Sequence, residues 1–128
     1  MANDTKTVSS SVGSFTRKEN GLICFYKTND LSIDKETAEH FLELFSQLDD
    51  SGQGKLIVIQ GQRVEYSFDA QRTLLTNKYL SHVAYVLENS KQYVSGEVLQ
   101  DMAKTFQSHI KVGLFQSVQE AEAWLLKA

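Results

Sequence analysis

Hydrophobic and polar positions along this chain follow two periods in turn. Leu22-Ile23-Cys24-Phe25-Tyr26 is a continuous apolar run, and Val12 to Glu19 before it alternates weakly around Val12 and Phe15. Asn20-Gly21 separates them, a pair that tolerates positive φ and closes hairpins. The pattern predicts an antiparallel hairpin over Val12–Lys27. The period then lengthens. Ala38, Phe41, Leu42, Phe45 and Leu48 recur at helical spacing, with Glu36, Glu39 and Glu43 on the other side. Ser32 or Asp34 is placed to cap this helix, and Gly52-Gln53-Gly54 stops it.

Leu56-Ile57-Val58-Ile59 is apolar at every position, as in a strand covered on both faces. Gly61 to Tyr66 reads as a loop. Ser67 opens a second helix over Phe68–Leu80, with Phe68, Leu75 and Tyr79 on one side. Val83 to Leu87 is a second buried-type strand. In a third helix over Val94–Gln107, Val94, Val98, Met102 and Phe106 form the expected inward stripe, with Leu99 and Ala103 beside them. Val112 to Phe115 is a last strand. Ser117-Val118-Gln119-Glu120 is a capping box opening a helix with Ala121, Trp124 and Leu125 on one face.

The sum is β-β-α-β-α-β-α-β-α. Strands alternating with helices predict an α/β domain whose sheet is largely parallel, with the opening hairpin adding an antiparallel strand at one edge. Residues 1–11 are polar and predict a loose tail; residues 12–128 form one domain, a size that needs no metal or disulfide to build a core.

Composition narrows the function classes. With 13 basic and 16 acidic residues the formal net charge is −3, which gives no electrostatic reason to expect nucleic acid. The one cysteine, Cys24, sits in an apolar run and reads as a small buried hydrophobe. No apolar stretch is long enough to span a bilayer, and the start lacks a signal-peptide core, so a cytoplasmic setting is the expectation. His40, His82 and His109 show no ligand spacing, and no phosphate-binding glycine loop or nucleophile elbow is present. No metal, no cofactor and no catalytic residue is expected.

The order of elements and above all the ending resemble the STAS superfamily, the sulfate-transporter and anti-sigma-factor-antagonist fold also called SpoIIAA-like. The resemblance is carried by Lys111-Val112-Gly113-Leu114-Phe115-Gln116-Ser117-Val118-Gln119-Glu120-Ala121-Glu122-Ala123-Trp124-Leu125 and by the Leu56–Leu75 region. It is nearest to small stand-alone bacterial STAS-like proteins. In the anti-sigma-factor antagonists a serine at the start of the helix after the central strand is phosphorylated by a partner kinase. Tyr66-Ser67-Phe68-Asp69 holds the matching place here, and Gln60 stands near a position where that family often has an aspartate.

Ser67 is therefore the candidate phosphorylation or interaction residue. A helix N-terminus offers free N–H groups to a phosphate, although an N-cap worth about 1 kcal/mol is the plain reading. Arg63, Glu65, Tyr66, Asp69 and Arg72 cluster beside it as a candidate interaction surface at the strand's C-terminal end. The expected function is a non-enzymatic regulatory or protein-interaction module with a protein partner and no nucleic acid or membrane span. The alternative is a carrier of a small lipid or anion, which calls for an apolar cavity of ~300 Å³ or more. Exposed edge strands would also invite a homodimer.

Overall fold

The computed structural model describes residues 6–10 and 13–128. In chain order its elements are β1 (Lys6–Ser10), β2 (Gly13–Arg17), β3 (Ile23–Lys27), β4 (Ser32–Ile33), α1 (Lys35–Leu48), β5 (Gly54–Ile59), β6 (Glu65–Tyr66), α2 (Phe68–Leu75), β7 (Leu80–Val86), α3 (Ser90–Thr105), β8 (Lys111–Phe115) and α4 (Val118–Lys127). Among the described residues, one six-stranded sheet has the order β1-β2-β3-β5-β7-β8, and β4 pairs β6 in a separate two-stranded piece. β1, β2 and β3 are antiparallel; β3, β5, β7 and β8 run parallel. The fold is thus α/β with a mixed, mostly parallel sheet.

Each parallel crossover steps the same way along the sheet, and the right-handed rule then puts the crossover helices on one face. Phe41, Phe45 and Leu48 of α1, Leu75 of α2 and Leu99 and Ala103 of α3 all pack with Phe15, Phe25, Leu56, Val58 and Val83. Helix α4 follows the last strand and takes the other face, where Ala121 and Leu125 meet Leu22, Cys24, Ile57 and Ala84. Two-sided burial explains why β5 is apolar at consecutive positions.

Several elements differ from the sequence pattern. Lys6–Ser10, expected within the loose tail, is an edge strand in register with β2. Its composition supplies little apolar area, but Val8 packs against the core, and the sheet edge offers a full row of backbone partners. Residues 1–5 and Val12 of the expected hairpin lie outside the described residues. The hairpin itself stands, with Arg17 opposite Ile23, but only Gly21 takes a positive φ (87°) in its turn. Lys18 N–H donates to Leu22 O and Gly21 N–H to Lys18 O, a three-residue loop instead of a two-residue one.

Helix α2 stops at Leu75 because Asn77 ends it. The Asn77 side chain donates to Leu74 O at 2.7 Å and accepts from Tyr79 N–H and Leu80 N–H at 2.9 and 3.0 Å. Tyr79 is therefore off the helix, and β7 begins at Leu80. Asp34, not Ser32, caps α1, accepting from Thr37 N–H at 2.8 Å; Ser32 is in β4. At α4 the capping box is half formed. Ser117 Oγ accepts from Glu120 N–H, while the Glu120 carboxylate closes on that hydroxyl at 3.2 Å.

The largest correction concerns α3. It begins at Ser90, and the first half of the expected inward stripe is turned outward: Val94 is 61% and Val98 45% exposed, while Met102 and Phe106 pack against the core. The buried residues are Gln92, Gly96, Leu99 and Ala103. Gly96 sets this phase. A Cβ there would stand 2.7 Å from Leu114 and 3.2 Å from Leu87, so the helix lies close on β8 along its glycine side. At the sheet's far edge Gln100 Nε2 donates to Val112 O of β8 at 3.0 Å.

Candidate functional site

The C-terminal ends of β3 and β5 feed two loops that are zipped together. Asp30 and Arg63 both take left-handed backbone conformations, with φ of 59° and 54°. Asp30 N–H donates to Gln62 O, Glu65 N–H to Leu31 O and Ser67 N–H to Ile33 O, each at 2.9 Å. The Arg63 guanidinium grips both carboxylate oxygens of Asp30, with Nη2 at 2.9 Å from Oδ2, and this holds the Asp30 carboxyl below the usual carboxylate range. The pair is exposed, so solvent screens most of its strength. Gly61 lets the two loops approach: a Cβ would sit 2.6 Å from Thr28 O.

Buried polar side chains hold the loop from below. Gln92 of α3 donates through Nε2 to Gly61 O at 3.1 Å and accepts from Glu88 N–H. Gln60, 7% exposed, accepts at Oε1 from Lys27 Nζ at 2.9 Å and from the Tyr66 hydroxyl at 3.2 Å. An amide at position 60 therefore answers the lysine where an aspartate would have made an ion pair.

Lys27 has an unusual setting. Its Nζ lies 4.2 Å from the Tyr66 ring centre and 5.5 Å from that of Tyr85. Among the described residues no carboxylate stands within ion-pair distance of it. The two rings favour the ammonium by about 0.5–2 kcal/mol each. Desolvation of an ion costs several kcal/mol and opposes them. Burial thus drives the Lys27 ammonium well below its ordinary range, and the same burial pushes the Tyr85 phenol up. Lys27 also borders a narrow apolar cavity of about 20 Å³ with Phe25, Phe41, Tyr66 and Tyr85, room for about one water.

The sequence-selected residues divide into three groups. Ser67 is exposed and is the N-cap of α2, with Oγ accepting from Ala70 N–H at 3.0 Å. Glu65, Asp69 and Arg72 are exposed around it, while Arg63 is taken up by Asp30 and Tyr66 turns inward to Lys27 and Gln60. Phe68, beside Ser67, is 59% exposed and meets Phe106, the C-cap of α3, edge-on at 5.7 Å. Phe68, Val94 and Val98 thus put apolar side chains in solvent on neighbouring helices. A depression of about 350 Å³ lined by Val64, Glu65, Tyr66, Ser95 and Val98 runs beside them.

Sequence reading passed over Lys27 and Gln92. Lys27 had a signal: Ile23, Phe25 and Lys27 alternate onto one strand face, so a lysine two places beyond a buried phenylalanine faces the core. Gln92 had none, because its phase depends on Gly96. The histidines lie apart: His40 faces Glu43 at 3.8 Å, His109 Nε2 reaches Leu80 O at 3.1 Å, and His82 stacks edge-on with Trp124. Among the described residues no three His, Cys, Asp or Glu groups gather as for a metal, and no helix is long and apolar enough to cross a membrane.

No protein-family model and no curated protein matches the chain. Among solved structures it is similar to an uncharacterized protein of the DUF3478 family with a SpoIIAA-like fold from Shewanella loihica PV-4. The similarity covers 94% of this chain and 91% of that one at 14% identity, with a TM-score of 0.54. At that identity the likeness speaks for architecture alone, and with the strand order above it establishes the conclusion: the chain has the SpoIIAA-like α/β fold.

Proposed function

We propose that this domain is a non-enzymatic protein-interaction module. Its working surface is the start of α2, the 61–66 loop and the outward side of α3, and Ser67 is its control point. The observation that carries this reading is the solvent exposure of Phe68, next in sequence to the exposed helix-capping Ser67, and of Val98, in the depression that Glu65 and Tyr66 also line. Large exposed apolar side chains together with the exposed Glu65, Asp69 and Arg72 suit a protein partner. A phosphate on Ser67 would add up to two negative charges beside Asp69 and change what docks there.

The lipid-carrier alternative needs an apolar cavity of ~300 Å³ or more. The apolar cavity of about 20 Å³ beneath α1 gives it no support.

Pull-downs from the source cell with wild type, Phe68→Asp, Val98→Asp and Ser67→Glu test the proposal. The wild type is expected to retain a protein that Phe68→Asp and Val98→Asp lose and that Ser67→Glu retains differently. Identical retention by all four folded proteins overturns it.

A further inference from the structure

Lys27 is half-buried, and among the described residues no carboxylate stands within ion-pair distance of its amine. Its amine donates to the neutral amide of Gln60 and lies over the rings of Tyr66 and Tyr85. It closes strand β3 at the end of the sheet where strand C-termini converge, and its side chain is partly open to solvent beside the narrow apolar cavity. Desolvation favours the free amine of a lysine held this way, and the free amine carries the lone pair of a nucleophile.

We propose that Lys27 is a covalent capture site for a small aldehyde or ketone, which its amine takes up reversibly as an imine between Tyr66 and Tyr85. The Nζ lone pair forms the C–N bond as the carbonyl π electrons move to oxygen. That oxygen takes the proton leaving nitrogen, giving a carbinolamine. The carbinolamine oxygen departs as water with a second proton from the amine, and the C=N bond forms. The sum is amine plus carbonyl giving imine plus water, with no oxidant or reductant. The cavity, about 20 Å³, has room for the reacting atoms alone, so any substituent on the carbonyl is directed outward. Burial, which pushes the Lys27 ammonium down, supplies the free amine.

Competitive reductive alkylation tests this on the intact chain. Limiting acetaldehyde and cyanoborohydride at pH 7 trap each imine as an ethyl group, and peptide mass spectrometry reads the rate at every lysine. Lys27 is expected to label at least ~10-fold faster than the exposed Lys35, Lys91 and Lys127. Its advantage over them should widen as pH is lowered from 9 to 7, because burial disfavours the Lys27 ammonium. In urea its advantage should vanish. A Lys27 that labels as slowly as the exposed lysines, or shares their pH profile, overturns the proposal and leaves a structural cation over Tyr66. Lys27→Arg checks the peptide assignment: the fast site must disappear while the other rates hold.

Discussion

Helices α1 and α3 carry the same kind of sequence pattern and put it to opposite uses. On α1 every member of the apolar stripe, Ala38, Phe41, Leu42, Phe45 and Leu48, is buried. On α3 a stripe just as regular leaves Val94 and Val98 in solvent, and the buried line runs through Gln92, Gly96, Leu99 and Ala103. The difference comes from what each helix rests on. Helix α1 meets Phe15 and Phe25, with ring centres 4.7 and 4.8 Å from Phe41, and needs bulk to fill the space. Helix α3 approaches Leu114 and Leu87 too closely for bulk and needs a glycine. Periodicity therefore marks a contact face, but the size of the residues on each face decides which one turns inward.

Substitutions sharpen that contrast. Phe45→Ala empties the α1 side and is expected to cost about 3–5 kcal/mol, read by urea unfolding. Leu99→Ala, on the buried line of α3, should cost about 2–5 kcal/mol. An equal, negligible loss at Leu99 and at its neighbour Val98 would show that α3 is phased otherwise.

The next effect lies beneath α1 and is set by pH. The folded pKa of Lys27 is depressed, so the unfolded chain binds the extra proton between that value and the ordinary 10.5. Stability from this group rises with pH through that window. Tyr85 has the opposite slope above its ordinary value of 10, because only the unfolded phenol ionises there. Lys27→Met should therefore raise the melting temperature at pH 7, with the gain shrinking toward pH 10; a gain independent of pH would contradict the buried free amine. Ser67→Ala removes an N-cap and should cost about 1 kcal/mol. Smallest of all, Val94→Ala and Val98→Ala should stay within about 0.5 kcal/mol of wild type in stability while weakening partner retention.

What the sequence revealed follows the same line. The α1 stripe, the apolar β5 run and the Ser117 cap were legible because each depends on local spacing and on burial that any neighbour would provide. The α2 start at Ser67 was legible for the same reason. The outward turn of α3 was not, since it is fixed by Leu87 and Leu114 across the fold. Edge strand β1 was missed because its stability comes from β2, not from Lys6–Ser10 themselves. At the candidate site, the Arg63–Asp30 grip and the Lys27–Gln60 contact join residues 33 apart in sequence, a pairing that no local pattern encodes.

The Gln100 amide on Val112 O gives the two margins of the sheet different fates. A strand arriving beside β8 must first dislodge that side chain, whereas among the described residues no strand pairs the outer side of β1. Head-to-tail growth requires both margins, so sheet-to-sheet association through β1 would end at a closed two-fold pair and not extend into a filament.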